Sequence, residues 1–376
     1  MPMPTRTLLL TSTVVLVALI AGAPFVLNEG FLRLATECLL LLTMAQMWNL
    51  LAGYAGLVSL GHQVFIAFGA YALFLTSGWL EVTPIWVLPV APLVAAAVAA
   101  IIAFPLFRLR DAYFSIAMWV FAEIIGAFTM KSQAVGGTSG VPLATSKLID
   151  FDWFEPTMFW LAGGLTLVTI AALYKMMTSS FGLGLMSVRD NDLAAMSVGV
   201  DVRHNRFIAF VLSAAGCGLA GALSFMGNLF IAPLAAFDVN WSVYMMFIVI
   251  IGGIGTLEGP ILGVIIFFGL RELMTGPLGL SGGRYLVGLG IIAVVVMIVA
   301  PRGIWPALRD RLGVRLRGIG IVQLLVREAR RAQRRGRAEA HAQSSEPRFE
   351  RRSGGVERRA GVGKILDPHV AFIGDA

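Results

Sequence analysis

Charge is scarce in this chain. Asp, Glu, Lys and Arg make up 14% of its 376 residues, against about a quarter in ordinary globular domains, and that shortage excludes a soluble fold with a solvated surface. Cysteine is scarcer still: Cys38 and Cys217 are the only two, both within apolar runs, so a disulfide framework is not expected. Of the four histidines, His341 and His369 fall in a polar tail, and neither His62 nor His204 has a second His or Cys at ligand spacing. No metal site is expected from that pattern. Nucleotide motifs fail on inspection. Gly361-Val362-Gly363-Lys364 ends like a phosphate loop, but Arg358 stands at the first Gly position and Ile365 at the Ser/Thr position. Gly253-Ile254-Gly255 begins a dinucleotide pattern whose third Gly is Glu258. The chain is therefore expected to bind no cofactor, ATP included, and it lacks the clustered His, Asp or Cys that a membrane enzyme would need.

What the chain has instead is apolar length. Hydrophobic residues make up 57% of it, and they fall into about ten runs of roughly 20 residues, the length a helix needs to cross a bilayer. The runs lie near 7–27, 38–55, 60–79, 84–106, 112–130, 157–177, 206–226, 241–257, 259–276 and 284–300. The expected fold is all-α: a polytopic integral membrane protein with about ten transmembrane helices, eight to ten being compatible with the pattern. Residues 1–23 have the outline of a signal peptide, Arg6 followed by an apolar run to Ala23, but the run continues to Leu27 and reads better as an uncleaved anchor.

Charge divides the chain in two. Residues 1–301 hold 12 Lys and Arg against 14 Asp and Glu, a net of −2, whereas residues 302–376 hold 17 against 8, a net of +9. The basic excess belongs to a tail and points to a membrane surface, not to nucleic acid. A membrane domain over 1–301 and a basic tail over 302–376 follow, with an interfacial helix over Ile304–Leu325 and too few apolar residues beyond Glu328 to fold alone. Arg6, Arg108, Arg110, Arg189, Arg203, Arg206 and the tail fall on one side if there are ten spans, which puts both termini in the cytoplasm.

Three polar interruptions carry the candidate functional residues. In Ser179–Arg206, Asp190-Asn191-Asp192 has the residue types of a helix N-cap and Gly199 ends the short helix that follows, so this helix lies at a membrane surface where another protein can press on it. The break from Asn49 to His62 is rich in Gly, Ser and Asn, and two readings remain open. It packs helices closely through small residues, or it lines a pathway with Asn49, Ser59, Gly61 and His62. A second break, Gly252–Pro260, faintly echoes the first. Glu123 sits mid-span, where an acid costs about 2.5–3.5 kcal/mol, and serves either structure or the pathway. The segment Gly136-Gly137-Thr138-Ser139-Gly140, between the fifth and sixth runs, is either a linker or an external docking surface.

The stretches GYAGLVSLGH (53–62), RLRDAYFSIAMWVFAEI (108–124), GGTSG (136–140), SVRDNDLAAMSVGV (187–200) and GGIGTLEGP (252–260) together resemble branched-chain amino-acid ABC transporter permeases of the LivM type. The likeness runs in order over about residues 49–300. It implies an inner-membrane permease that forms half of a translocation pathway with a LivH-type permease, two cytoplasmic ABC ATPases that hold the ATP, and a periplasmic substrate-binding protein. It also implies that Arg189, Asp190, Asn191, Ala194, Ala195 and Gly199 form the ATPase-coupling loop, although Leu193 replaces the Glu that generic ABC permeases carry before the two alanines. A permease of the same kind for urea or short amides is the alternative, and a self-sufficient secondary transporter or channel is a more distant one.

Overall fold

The computed structural model describes residues 20–109, 111–148, 151–277, 279, 282–301 and 303–312. The expected span at 7–27 lies mostly outside the described residues, as does the tail from 313 onward. Helix α1 runs Glu29–Asn49 and continues as a π turn over Leu50–Tyr54. Its start is set locally: the Asn28 side chain accepts a hydrogen bond from Phe31 N (3.0 Å), and Glu29 occupies the first turn, where the helix dipole favours an acid. This places the start nine residues ahead of the expected span at 38–55. The polar residues that made positions 29–37 look like a loop are paired across the fold, Arg33 with Glu155 and Glu37 with Arg271, each at 2.6 Å.

After α1 come α2 (Gln63–Leu80), a short turn of helix at Pro84–Val87, α3 (Val90–Leu106), α4 (Asp111–Lys131) and α5 (Phe154–Met177). A polar corner of two helices, α6 (Ser180–Asp190) and α7 (Asp192–Ser197), leads into α8 (Val202–Asn228). The chain then forms α9 (Asn240–Gly252), α10 (Gly259–Thr275), α11 (Gly283–Val299) and α12 (Ile304–Leu312). Among the described residues, seven segments are long and apolar enough to cross a membrane: those of α1 to α5, α8, and Pro233–Gly252, which ends in α9. The apolar helix α11 is shorter, at 17 residues. The structure thus confirms an all-α polytopic architecture, and the count of about ten is not reached among the described residues. Part of the difference is α10, 17 residues long, in which Arg271 and Glu272 near the C-terminal end shorten the apolar run.

The core is built on close crossings of small residues, the usual route to helix association where water supplies no drive. Helix α8 lies against α2 and α3. A Cβ on Gly69 would collide with the backbone of Gly218, one on Gly218 with the Ala95 side chain, and one on Gly221 would come within 2.6 Å of the Ile66 carbonyl. Beside these crossings Phe65, Phe107 and Phe114 all pack edge-on to Phe210. Helices α1 and α5 are joined by the Thr43 and Thr166 hydroxyls, 3.0 Å apart, with Thr43 back-bonding to Leu39 O and Thr166 reaching the same carbonyl from α5.

The 24 residues of α5 span about 36 Å and separate two polar ends. At one end the segments 132–148 and 151–153 are folded in place. Val141–Pro142 (β1) pairs antiparallel with Phe230–Ile231 (β2), and Leu143 N donates to Leu229 O (2.9 Å). Gly140, at φ +78°, lies so close to the Ile231 carbonyl that a side chain has no room. At the other end stand α6 and α7.

Candidate functional site

Asn191 breaks the chain between α6 and α7 in extended conformation (φ −165°), and its side-chain oxygen accepts from Leu193 N (3.0 Å) and Ala194 N (3.1 Å). That capping is the expected one, and Gly199 ends the helix at φ +86°. Asp201 then caps α8 by accepting from His204 N (2.9 Å). Arg206 on α8 donates two hydrogen bonds to the Asp192 carboxylate, at 2.8 and 2.9 Å, so the corner is pinned to the start of α8. Ala195 is buried beneath the corner, whereas Ala194 and Gly199 are exposed. So are Leu193 (75%), Met196 (51%) and Val198 (75%), three apolar side chains that the motif alone does not single out. Leu193 and Met196, at i, i+3 on the six-residue helix, with Val198 just past its end, were the available signal.

The corner is wired to both glycine-rich breaks. Arg189 Nη1 donates to Gly53 O (2.8 Å) at the π turn of α1, while its Nε and Nη2 hold Asp190 Oδ1 at 3.0 Å. The Asn49 side chain accepts from Gly255 N and donates to Thr256 O, both at 2.8 Å. Gln46, one turn earlier, donates to Leu257 O at 2.7 Å. Within the second break the Thr256 hydroxyl donates to Gly253 O (2.7 Å) and accepts from Gly259 N (3.1 Å). Gly53 and Gly255 touch so closely that a Cβ on Gly53 would sit 2.5 Å from Gly255 N, and Gly255 has φ +72°. One face of α1 thus holds the second break through Gln46 and Asn49 and the corner through Gly53. Burial pushes the Glu258 carboxyl in this break above its usual range, and Arg309 of α12 opposes the shift.

This geometry gives a first prediction. Asn49→Ala removes two hydrogen bonds and leaves Gly255 N and Thr256 O without them, a cost of about 2–3 kcal/mol. The detergent-solubilised protein should melt several degrees lower. An unchanged melting temperature would show that the two breaks are not held through Asn49.

The rest of the first break is a buried polar seam. Residues 55–62 are irregular and run between α1, α4 and α8: Trp48 Nε1 donates to Ser59 O (2.8 Å), and Ser115 on α4 donates to Val58 O (2.6 Å). Gly61 lies against the Met118 carbonyl, and His62 Nε2 is 2.8 Å from Ser213 Oγ on α8. Because the Ser213 hydroxyl spends its one proton on Met47 O (2.7 Å), His62 Nε2 must be the donor, which fixes the imidazole tautomer. Asn49 and His62 are completely buried and Ser59 is 1% exposed. Asn49, Ser59, Gly61 and His62 are therefore all buried beside the irregular stretch, with the Ser59 hydroxyl and His62 Nδ1 unpartnered among the described residues. Glu123 is not part of this seam. Its side chain is exposed on α4, where it accepts from Trp119 Nε1 (3.1 Å) one turn earlier. Gly136 to Gly140 lie at the far end of the molecule. Among the described residues no cluster of three or more His, Cys, Asp or Glu is placed to hold a metal ion.

Comparison with known proteins agrees with this architecture. The chain is 27% identical over 326 residues to the high-affinity branched-chain amino acid transport system permease protein LivM of Escherichia coli, covering 80% of this chain and 75% of that protein. LivM of Salmonella typhimurium is 27% identical over 77% of this chain and 73% of its own. A probable LivH permease of Methanocaldococcus jannaschii is 28% identical over 48% of this chain and 58% of its own. No solved structure matches. The family model described as branched-chain amino acid transport system / permease component matches residues 30–301, from the first turn of α1 to the end of α11. The chain belongs to that family of transport permeases.

Proposed function

We propose that this chain is one of two membrane subunits of a binding-protein-dependent ABC importer for branched-chain amino acids. It works in a bacterial inner membrane with both termini in the cytoplasm, and it carries out no chemistry of its own. ATP binds and is hydrolysed on two partner ATPases, a periplasmic protein delivers the substrate, and a LivH-type permease supplies the other half of the pathway. The observation that carries this reading is the Arg189 to Gly53 bond, because it ties an exposed corner to the two irregular breaks that interrupt spanning helices. Leu193, Ala194 and Met196 on α7, with Val198 just after it, give the corner an apolar exposed surface suited to the groove of an ATPase subunit. When that groove moves, Arg189 passes the motion to α1, and Gln46 and Asn49 pass it to the 252–260 break, so the two breaks shift together.

Affinity purification of the tagged chain in mild detergent tests the assignment. A homologous permease and an ABC ATPase should co-purify, and a Leu193→Asp, Val198→Asp double variant should keep the permease and lose most of the ATPase. Recovery of the chain without either subunit would count against the proposal.

A further inference from the structure

Between the Gln46 and Asn49 bonds to the 252–260 break and the Glu29 end, α1 borders a cavity of about 360 Å³ shared with α8, α9, α10 and α11. That lies within the range of about 300–1,000 Å³ typical of small-molecule sites. Glu37, Leu40, Leu41 and Met44 form its α1 wall at helical i, i+3, i+4, i+7 spacing. Across it, α10 supplies Phe267 and Arg271, and Arg271 Nη1 donates to Glu37 Oε1 at 2.6 Å. Tyr285 of α11 also lines it; this residue is 8% exposed, and its hydroxyl has no hydrogen-bond partner among the described residues. The cavity joins one anion, one cation, an unpartnered hydroxyl and an apolar wall.

We infer that this cavity is a substrate site for a free α-amino acid with a short apolar side chain, entered during passage through the permease. The inference rests on the importer function proposed above and names where the substrate is held. The chemistry is specific. A lone carboxylate would face Glu37 and a lone amine would face Arg271, whereas a zwitterion satisfies both. Arg271 has five N–H groups, of which the Glu37 bond uses one, so it can take the substrate carboxylate without releasing Glu37. The Tyr285 hydroxyl gains its missing partner from the same carboxylate, and Glu37 receives the ammonium group. The side chain then lies on Leu40, Leu41, Met44 and Phe267, a wall against which a polar side chain would lose its hydration without return.

The test uses the full-length chain in the purified transporter, with photo-leucine, the diazirine analogue of leucine, as probe. Adducts are expected on peptides containing residues 37–44 or 267–275, suppressed by excess leucine but not by leucinamide, which lacks the carboxylate. Glu37→Gln and Arg271→Gln should each reduce that labelling and leucine uptake about tenfold. The paired exchange Glu37→Arg with Arg271→Glu keeps an ion pair between α1 and α10 but reverses it. It should restore the amount of inserted protein without restoring labelling or uptake. Adducts confined to other peptides, equal competition by leucinamide, or full uptake by the exchanged variant would overturn the site and leave the pair a structural clip. If the wild-type complex imports leucine but its cavity is unlabelled, only this site falls; if it imports no leucine, the proposed function falls with it.

Discussion

Arg189→Ala should abolish most ATP-driven uptake while leaving the amount of inserted protein and its melting temperature close to wild type. The side chain reaches from the end of α6 to the Gly53 carbonyl, 136 residues earlier in the chain, and makes the one side-chain hydrogen bond described between the corner and α1. A bond from a charged group contributes about 1.5–3 kcal/mol. If that energy is spent on keeping the breaks in step with the corner, its loss lowers the coupled rate about ten- to a hundredfold. Stability should change far less, because Arg206 and Asp192 still pin the corner to α8. Arg189→Lys can keep a single donor at that reach and should recover part of the activity. ATP hydrolysis by the complex should continue without matching uptake, the signature of lost coupling. Uptake at wild-type level with Ala in place of Arg would remove Arg189 from the mechanism, and loss of the protein itself would make it a structural residue.

Gly69→Leu should have the opposite profile: little inserted protein and no separable effect on transport. Gly69 faces the Gly218 backbone, where a Cβ meets main-chain atoms and not a side chain that can turn aside. Overpacking a good core costs about 1–3 kcal/mol and more when the obstacle is backbone. Helices α2 and α8 would have to separate, and α8 also packs on α3, so the damage spreads through the middle of the bundle. Gly164→Leu is the control. It introduces the same side chain on α5 at an exposed position with nothing within 4 Å of the new Cβ, and it should be neutral. Membrane-extracted protein and melting temperature decide the comparison, and equal behaviour of the two variants would refute the close α2–α8 crossing.

Which features were legible in the sequence follows from the range of the forces behind them. The α7 corner could be read because its causes are local: Asn191 caps a helix two and three residues away, and Gly199 supplies the positive φ that ends it. Apolar run length identified the spanning segments for the same reason. The start of α1 was misplaced because Arg33 and Glu37 look like loop residues until Glu155 and Arg271 arrive from 122 and 234 positions away. The link from α1 to the 252–260 break was equally hidden. Asn49 and the 252–260 break each stood out for composition, but nothing local says that Asn49 bonds Gly255 across 206 residues. Gln46, Gly53 and Asn49 at helical spacing carried a weak hint of a polar face on an otherwise apolar helix. Glu123 drew attention by its depth in a span, yet depth along a helix does not reveal which way a side chain points, and Glu123 turns outward to Trp119, away from the buried seam.

The most direct test of the central claim is leucine accumulation in sealed proteoliposomes, measured for the assembled transporter with ATP and binding protein and for this chain alone with an ion gradient. The expected result is accumulation only by the assembly, only with ATP, and lost in Arg189→Ala. Gradient-driven accumulation by the chain alone, without ATP or partner subunits, would contradict the assignment of this protein as a coupled permease subunit.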